Sequence, residues 1–194
     1  IRDRGGLHEG KYYYEGQEYA MSQHGFARDM EFTLTEQTQE SLRFELNDTA
    51  ETYAKYPFLF KLLITYKIVD NHLKITWKVD NTNNHKMYFS IGGHPAFLCP
   101  IQEGTKQTDY TLRFDTADKI VSSMLGEGGL LTNEKKTYAL NNGVLAVTKD
   151  LFDNDALVIE GNQAHEVSLA YGEEKPYLTV RFEAPLFGIW SPPK

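Results

Sequence analysis

Residues 60–82 read FKLLITYKIVDNHLKITWKVDNT, and the fold class depends on how this stretch is read. Leu73, Ile75, Trp77 and Val79 alternate with polar partners, the period of an extended chain with one wetted face. Asp70 and Asn71 interrupt the alternation with turn-forming residues. The stretch predicts two long antiparallel strands joined at Asp70–Asn71.

The same pattern continues in both directions. KYYY (11–14) and QEYAM (17–21) flank Glu15–Gly16, a two-residue connection suited to a primed hairpin turn. MEFTLTEQ (30–37) and ESLRFELN (40–47) alternate, with Phe32, Leu34, Leu42, Phe44 and Leu46 as apolar members. YTLRFDT, TYALNN, DALVIEG, EVSLAYG and YLTVRFEA follow in the second half, with turn residues between them. One short helix is expected around Thr49–Lys55, ended by Pro57, because a residue before proline resists the helical region. Many short alternating strands predict an all-β fold, an antiparallel sandwich or barrel. A parallel sheet, buried on both faces, would not alternate.

Composition narrows the function classes. A chain of 194 residues with 41% hydrophobic and 13% aromatic residues can bury a core as a single domain, 1–194. A formal charge of -7 argues against a nucleic-acid partner, which needs a basic face. No apolar run approaches the roughly 20 residues of a membrane span; the longest, YPFLFKLLITYKI, is broken by Lys61 and Lys67. Cys99 stands alone, so no internal disulfide is possible, and a reducing cytoplasmic setting is expected. The chain opens on IRDRGG without Met and ends on FGIWSPPK just past an apolar segment, so a truncated copy, incomplete at both ends, is expected.

Candidate chemistry rests on loops. His8, His72, His85 and His165 fall in ragged or turn segments and read as solvated loop residues. His24, in SQHGFARD, stands at a break between strands with Arg28 four residues on, so both could line a sheet rim. His94, in GGHPAF, follows a strand-like run and two glycines, which permit positive φ and close backbone approach. Asp153 and Asp155, in LFDNDALVIE, would point the same way if the segment is extended, or would form an Asx-type turn before a strand. Metal binding has little support, since no Cys pair, HExxH or i, i+4 histidine pair occurs. GEGG (126–129) reads as a plain turn, and no GxSxG accompanies the serines.

Five segments, HGFARDMEF, YPFLFKLLITYKI, NTNNHKMYFSIGGHPAF, LFDNDALVIE and PLFGIWSPP, occur in an order and at spacings that resemble the aldose 1-epimerase (galactose mutarotase-like) superfamily, and within it the LacX-like bacterial branch. The resemblance runs from about Gly10 to Lys194. It implies a large antiparallel β-sandwich (a supersandwich), a small-molecule aldose or sugar phosphate as substrate, and interconversion of its α and β anomers without a cofactor. It further implies that His94 protonates the ring oxygen and that His24 contacts the sugar, with Arg28 nearby. An aspartate, Asp153 or Asp155, would bind sugar hydroxyls.

The chemistry explains these residue types. Opening a hemiacetal removes the anomeric hydroxyl proton while the ring oxygen is protonated; the aldehyde turns and recloses from its other face. A base and an acid must therefore lie on opposite sides of the reacting carbon, within roughly 2.6–3.2 Å of their protons. Histidine suits the acid because its pKa lies near neutrality; a carboxylate suits the base. In the family the base is a glutamate shortly after the GIW strand, a position past Lys194. Glu160, Glu166, Glu173, Glu174 and Glu183 do not match its motif. Two readings follow: a mutarotase, or a non-catalytic carbohydrate-binding relative on the same scaffold.

Overall fold

The computed structural model describes residues 8–192. The chain divides into two compact units, Ile1–Gly93 and His94–Lys194, with the division inside the GGHPAF segment.

The first unit begins with a hairpin, β1 (Lys11–Tyr14) and β2 (Gln17–Ala20), turning on Glu15 and Gly16 at φ 48° and 79°. Positive φ at both central residues matches the right-handed twist of the strands. A four-stranded antiparallel sheet follows: β3 (Thr33–Gln37), β4 (Ser41–Asn47), β5 (Phe60–Val69) and β6 (His72–Asn81), in that spatial order. The expected β5–β6 hairpin is present in full, from Phe60 opposite Asn81 to Val69 opposite His72. Asp70 takes φ 54° in its turn, a left-handed value that aspartate tolerates better than most residues.

Helix α1 (Ala50–Lys55) links β4 to β5. Thr49 caps it: its hydroxyl accepts from the Thr52 amide at 3.1 Å, and the Thr52 hydroxyl accepts from the Thr49 amide at 2.8 Å. These bonds satisfy amides that the first turn leaves without partners. Tyr56, before Pro57, is already extended, as its position demands.

Register puts most apolar residues of the sheet on one face. Leu34, Phe44, Ile64 and Trp77 form one cross-strand row, Leu46, Leu62 and Val79 another, and Leu42, Tyr66 and Ile75 a third. The opposite face is charged, with Lys61 3.2 Å from Glu45. Coverage of the apolar face is uneven. Leu46, Phe60 and Leu62 are buried beneath Phe26, Met30, Phe32 and Tyr56, whereas Ile68 and Leu73 remain 53% and 60% exposed.

Tyr12 ties the β1–β2 hairpin to α1, donating to the Lys55 carbonyl at 2.8 Å. Burial, aided by Tyr19, pushes its hydroxyl up to about 12 from 10.0, and burial raises Tyr56 as well. The fold thus favours the neutral phenols. The Tyr12 contribution to stability is complete below pH 10 and is lost as the pH rises from 10 towards 12. The urea midpoint should fall over that interval in the unaltered protein, and fall less in Tyr12→Phe.

The second unit contains two four-stranded antiparallel sheets. In chain order its strands are β7 (Tyr110–Phe114), β8 (Lys119–Leu125), β9 (Leu131–Ala139), β10 (Val144–Ala146), β11 (Leu157–Glu160), β12 (Glu166–Tyr171), β13 (Leu178–Arg181) and β14 (Leu186–Ile189). One sheet has the order β10-β7-β12-β13, the other β14-β11-β8-β9. Their inner faces share one core: Leu112 and Phe114 from the first, Ile120, Leu157 and Ile159 from the second. This is sandwich packing. β8 and β10 lie outside the strands expected from alternation, because KIVSSML carries consecutive apolar and small residues and VLA is only three residues long.

The strand expected before His94 does not form. Among the described residues no strand lies between Asn81 and Tyr110, although Tyr88, Phe89 and Ile91 alternate sufficiently to suggest one. A strand needs a hydrogen-bonded neighbour, and this segment has none in the sheets.

Candidate functional site

His24 and Arg28 belong to the first unit. Residues 22–25 form a turn in which the Gly25 amide donates to the Ser22 carbonyl at 3.1 Å. His24 occupies its third position at φ 65°, where a turn of this kind ordinarily carries glycine. Phe26, midway between His24 and Arg28, anchors the loop: its ring lies 6.0 Å from Tyr56 and 5.8 Å from Phe60. With Phe26 packed against the core cluster, His24 and Arg28 are both exposed. A non-glycine residue held left-handed costs about 1–2 kcal/mol, and such strain clusters at functional positions. Since histidine tolerates this region better than branched residues, His24→Val should lower unfolding stability by about 1–2 kcal/mol, while His24→Gly should not. Denaturant unfolding of both variants checks this.

Arg28 sits in a single helical turn, Ala27–Asp29, with its Nε 3.3 Å from an Asp29 carboxylate oxygen. Beside it lies an open hollow of about 450 Å³ whose lining includes Asp29, Glu31, Glu45 and Asn47.

His94 opens the second unit and is exposed. Its segment, though not a strand, is tethered on both sides. Upstream, within the first unit, the Asn83 side chain binds both the amide and the carbonyl of Leu59, and the Tyr56 hydroxyl donates to the Tyr88 carbonyl at 2.7 Å. Downstream, within the second, the Tyr177 hydroxyl donates to the Leu98 carbonyl at 2.9 Å. The hydroxyl of fully buried Tyr110 accepts from the Ile101 and Gln102 amides, each at 3.0 Å. Hydrogen-bonded phenols therefore hold what a sheet does not. The positive φ expected of the double glycine is not used: Gly92 and Gly93 are absent from the left-handed positions. Close approach is used, and it is to the Trp77 indole.

Asp153 and Asp155 precede β11 in the second unit, both exposed. The segment is a series of turns rather than extended: the Asp153 amide donates to the Asp150 carbonyl at 3.2 Å and the Asp155 amide to the Phe152 carbonyl at 3.1 Å. The reading with both carboxylates aligned therefore fails: backbone turns precede the strand, and neither carboxylate is seen to accept the amide two residues on that an Asx-turn requires. Asp155, at φ 71°, accepts the Ala156 amide at 2.7 Å. Its carboxylate shapes the entry to the strand.

His165 is not the solvated loop residue that its position suggested. It is half-buried; its amide donates to the Asp115 carboxylate at 3.0 Å, and its Nδ1 lies 3.2 Å from the Phe182 carbonyl oxygen. Gln163 causes this: its side chain pairs with the Val121 amide and carbonyl like an added strand residue, drawing the loop onto the sheet. Two of the second unit's glutamates are likewise engaged. Glu160 accepts from Ser123 Oγ at 2.5 Å, and Glu166 lies 2.6 Å from Arg181 Nε. No helix among the described residues is long and apolar enough to cross a membrane.

Comparison with known proteins follows the same lines. The aldose 1-epimerase family model matches residues 1–175, a span that includes both histidine segments and both aspartates. Protein LacX of Lactococcus lactis subsp. lactis, in plasmid and chromosomal forms, is 33% identical over 172 residues, covering 87% of this chain and 58% of LacX. This chain therefore spans less than two thirds of the length of its curated relatives. A galactose mutarotase related enzyme from Lactobacillus acidophilus is similar in structure, with TM-score 0.84 and 34% identity over 96% of this chain and 63% of that one. A galactose mutarotase-like protein from Lactobacillus casei gives TM-score 0.80 and 27% identity over 97% and 65% of the respective chains. The antiparallel all-β architecture is thus that of a galactose mutarotase-like β-sandwich. With nine-tenths of its length matched by the family model and its strands laid out as in these solved relatives, the chain belongs to the aldose 1-epimerase family.

Proposed function

We propose that the protein interconverts the α and β anomers of an aldose by acid–base catalysed ring opening and closure. The observation that carries this reading is the family match, which spans every candidate site residue. Supporting it, His94 is exposed at a tethered, strand-free segment, where an imidazole can reach a ligand.

The roles divide as follows. His94 donates a proton to the ring oxygen as its bond to the anomeric carbon breaks. His24 binds the sugar from its strained turn, with Arg28 close by. Asp153 accepts hydroxyl hydrogen bonds; Asp155 is the weaker choice because its carboxylate already holds the Ala156 amide. The base that takes the anomeric proton is a carboxylate that we assign to no residue of this chain: Glu160, Glu166, Glu173, Glu174 and Glu183 do not match the family's motif, and the first two are bonded to Ser123 and Arg181.

That engagement of the glutamates also favours a second reading, a carbohydrate-binding relative without catalysis. Polarimetry of freshly dissolved α-glucose or α-galactose separates the two. Faster decay of rotation with protein present supports the enzyme. Saturable sugar binding with decay at the buffer rate supports the binding protein. No binding of either sugar ends both.

A further inference from the structure

The two glycines before His94 are not equivalent. A Cβ placed on Gly92 would meet nothing within 4 Å, whereas one on Gly93 would lie 2.6 Å from Cζ2 and 2.7 Å from Cη2 of Trp77. Neither glycine takes a left-handed φ. Gly93 is therefore required by the approach of the indole and not by its own backbone conformation. Trp77 is well placed to impose this. It lies within β6, opposite Ile64, in a hairpin paired over its whole length. Between the tethers at the Tyr88 and Leu98 carbonyls, the segment meets that sheet at Gly93. The next residue is His94.

We propose that Trp77 is a positioning residue for His94: its indole seats the Gly93 backbone and so fixes where the imidazole stands. This rests on the reading of His94 as the acid. Trp77 is 42% exposed, so a side chain at 93 can push the indole aside without opening a buried core. The loss then falls on placement rather than on folding. Displacement of a reacting group by about 1 Å costs on the order of 10²-fold in rate.

The test uses the full chain with Gly92→Ala, Gly93→Ala, Trp77→Leu and the Gly93→Ala/Trp77→Leu pair. Gly93→Ala should lower kcat on the order of 10²-fold, with KM changed by less than about twofold. Gly92→Ala should match the unaltered protein. Trp77→Leu removes the seat and should itself lower kcat, and the paired variant should match Trp77→Leu rather than add to it, because the clashing ring is gone. A purely structural role predicts a reduced folded fraction with kcat per folded molecule unchanged. Equal kcat losses in Gly92→Ala and Gly93→Ala, an undiminished kcat in Trp77→Leu, or additive losses in the pair would overturn the proposal. The imidazole resonances of His94 give a readout that needs no activity: they should shift in Gly93→Ala and in Trp77→Leu, take the Trp77→Leu positions in the pair, and stay fixed in Gly92→Ala. If the unaltered protein does not speed anomer exchange, the functional reading fails by itself. The seat then stands or falls on those resonances, and an unmoved His94 in Gly93→Ala refutes it.

Discussion

His94→Asn should lose the acceleration of anomer exchange, by about 10²–10⁴-fold, the usual contribution of one general acid. Asparagine keeps a hydrogen-bonding side chain of similar reach but has no proton to give near neutral pH. The substitution should leave folding intact, because His94 is exposed and surface changes of this kind usually move stability by no more than about 0.5 kcal/mol. Circular dichroism and urea unfolding check the second part, and anomer exchange kinetics the first. An Asn variant of full activity would show that the acid lies elsewhere.

The largest effect on stability is expected at Ile159. It is fully buried in β11, opposite Ser122 of β8 and Phe187 of β14, and belongs to the core shared by both sheets of the second unit. Ile159→Ala should cost about 2–5 kcal/mol and Ile159→Val about 0.5–1.5 kcal/mol, because the cavity left behind adds to the lost transfer energy. Against a typical total of about 5–15 kcal/mol, the alanine variant is close to the margin. Sugar affinity should fall with it, since the turns carrying Asp153 and Asp155 run directly into β11. A urea unfolding series over the two variants gives the result. A cost below about 1 kcal/mol for alanine would mean that the two sheets do not share this core.

Much of the fold could be read directly from alternation. The Phe60–Asn81 hairpin was legible because its apolar residues keep strict period and its turn carries Asp and Asn. Thr49 and Pro57 bounded the helix for equally local reasons. The errors arose where local pattern and long-range partners part company. MYFSI alternates like a strand, but alternation specifies only which face each side chain takes. It cannot supply a neighbouring strand. β8 was hidden for the opposite reason: its Ser122 and Ser123 are buried at 1% and 4% exposure, so polarity gave a false outward signal. They are tolerated because Ser122 accepts the Val158 amide and Ser123 donates to Glu160, consistent with the rule that buried polar groups find partners.

The candidate site was legible as residue types and less so as geometry. That His24 lies at a break between strands was legible from SQHGFARD, and it is exposed there. That Phe26 anchors one loop, and Tyr56, Tyr110 and Tyr177 the other, could not be read, because those contacts join residues far apart in sequence. Alternation shows Trp77 only as one apolar member of a strand. Its proximity to Gly93 depends on a chain segment that returns over the sheet.

The account depends most on whether this protein moves an aldose between its anomers at all. Magnetisation transfer between the α and β anomeric protons of equilibrated glucose or galactose measures that exchange directly, without a starting excess of either form. The account predicts an exchange rate that rises in proportion to protein concentration above the buffer rate. A rate identical with and without the protein, at concentrations where sugar binding is saturated, would contradict it.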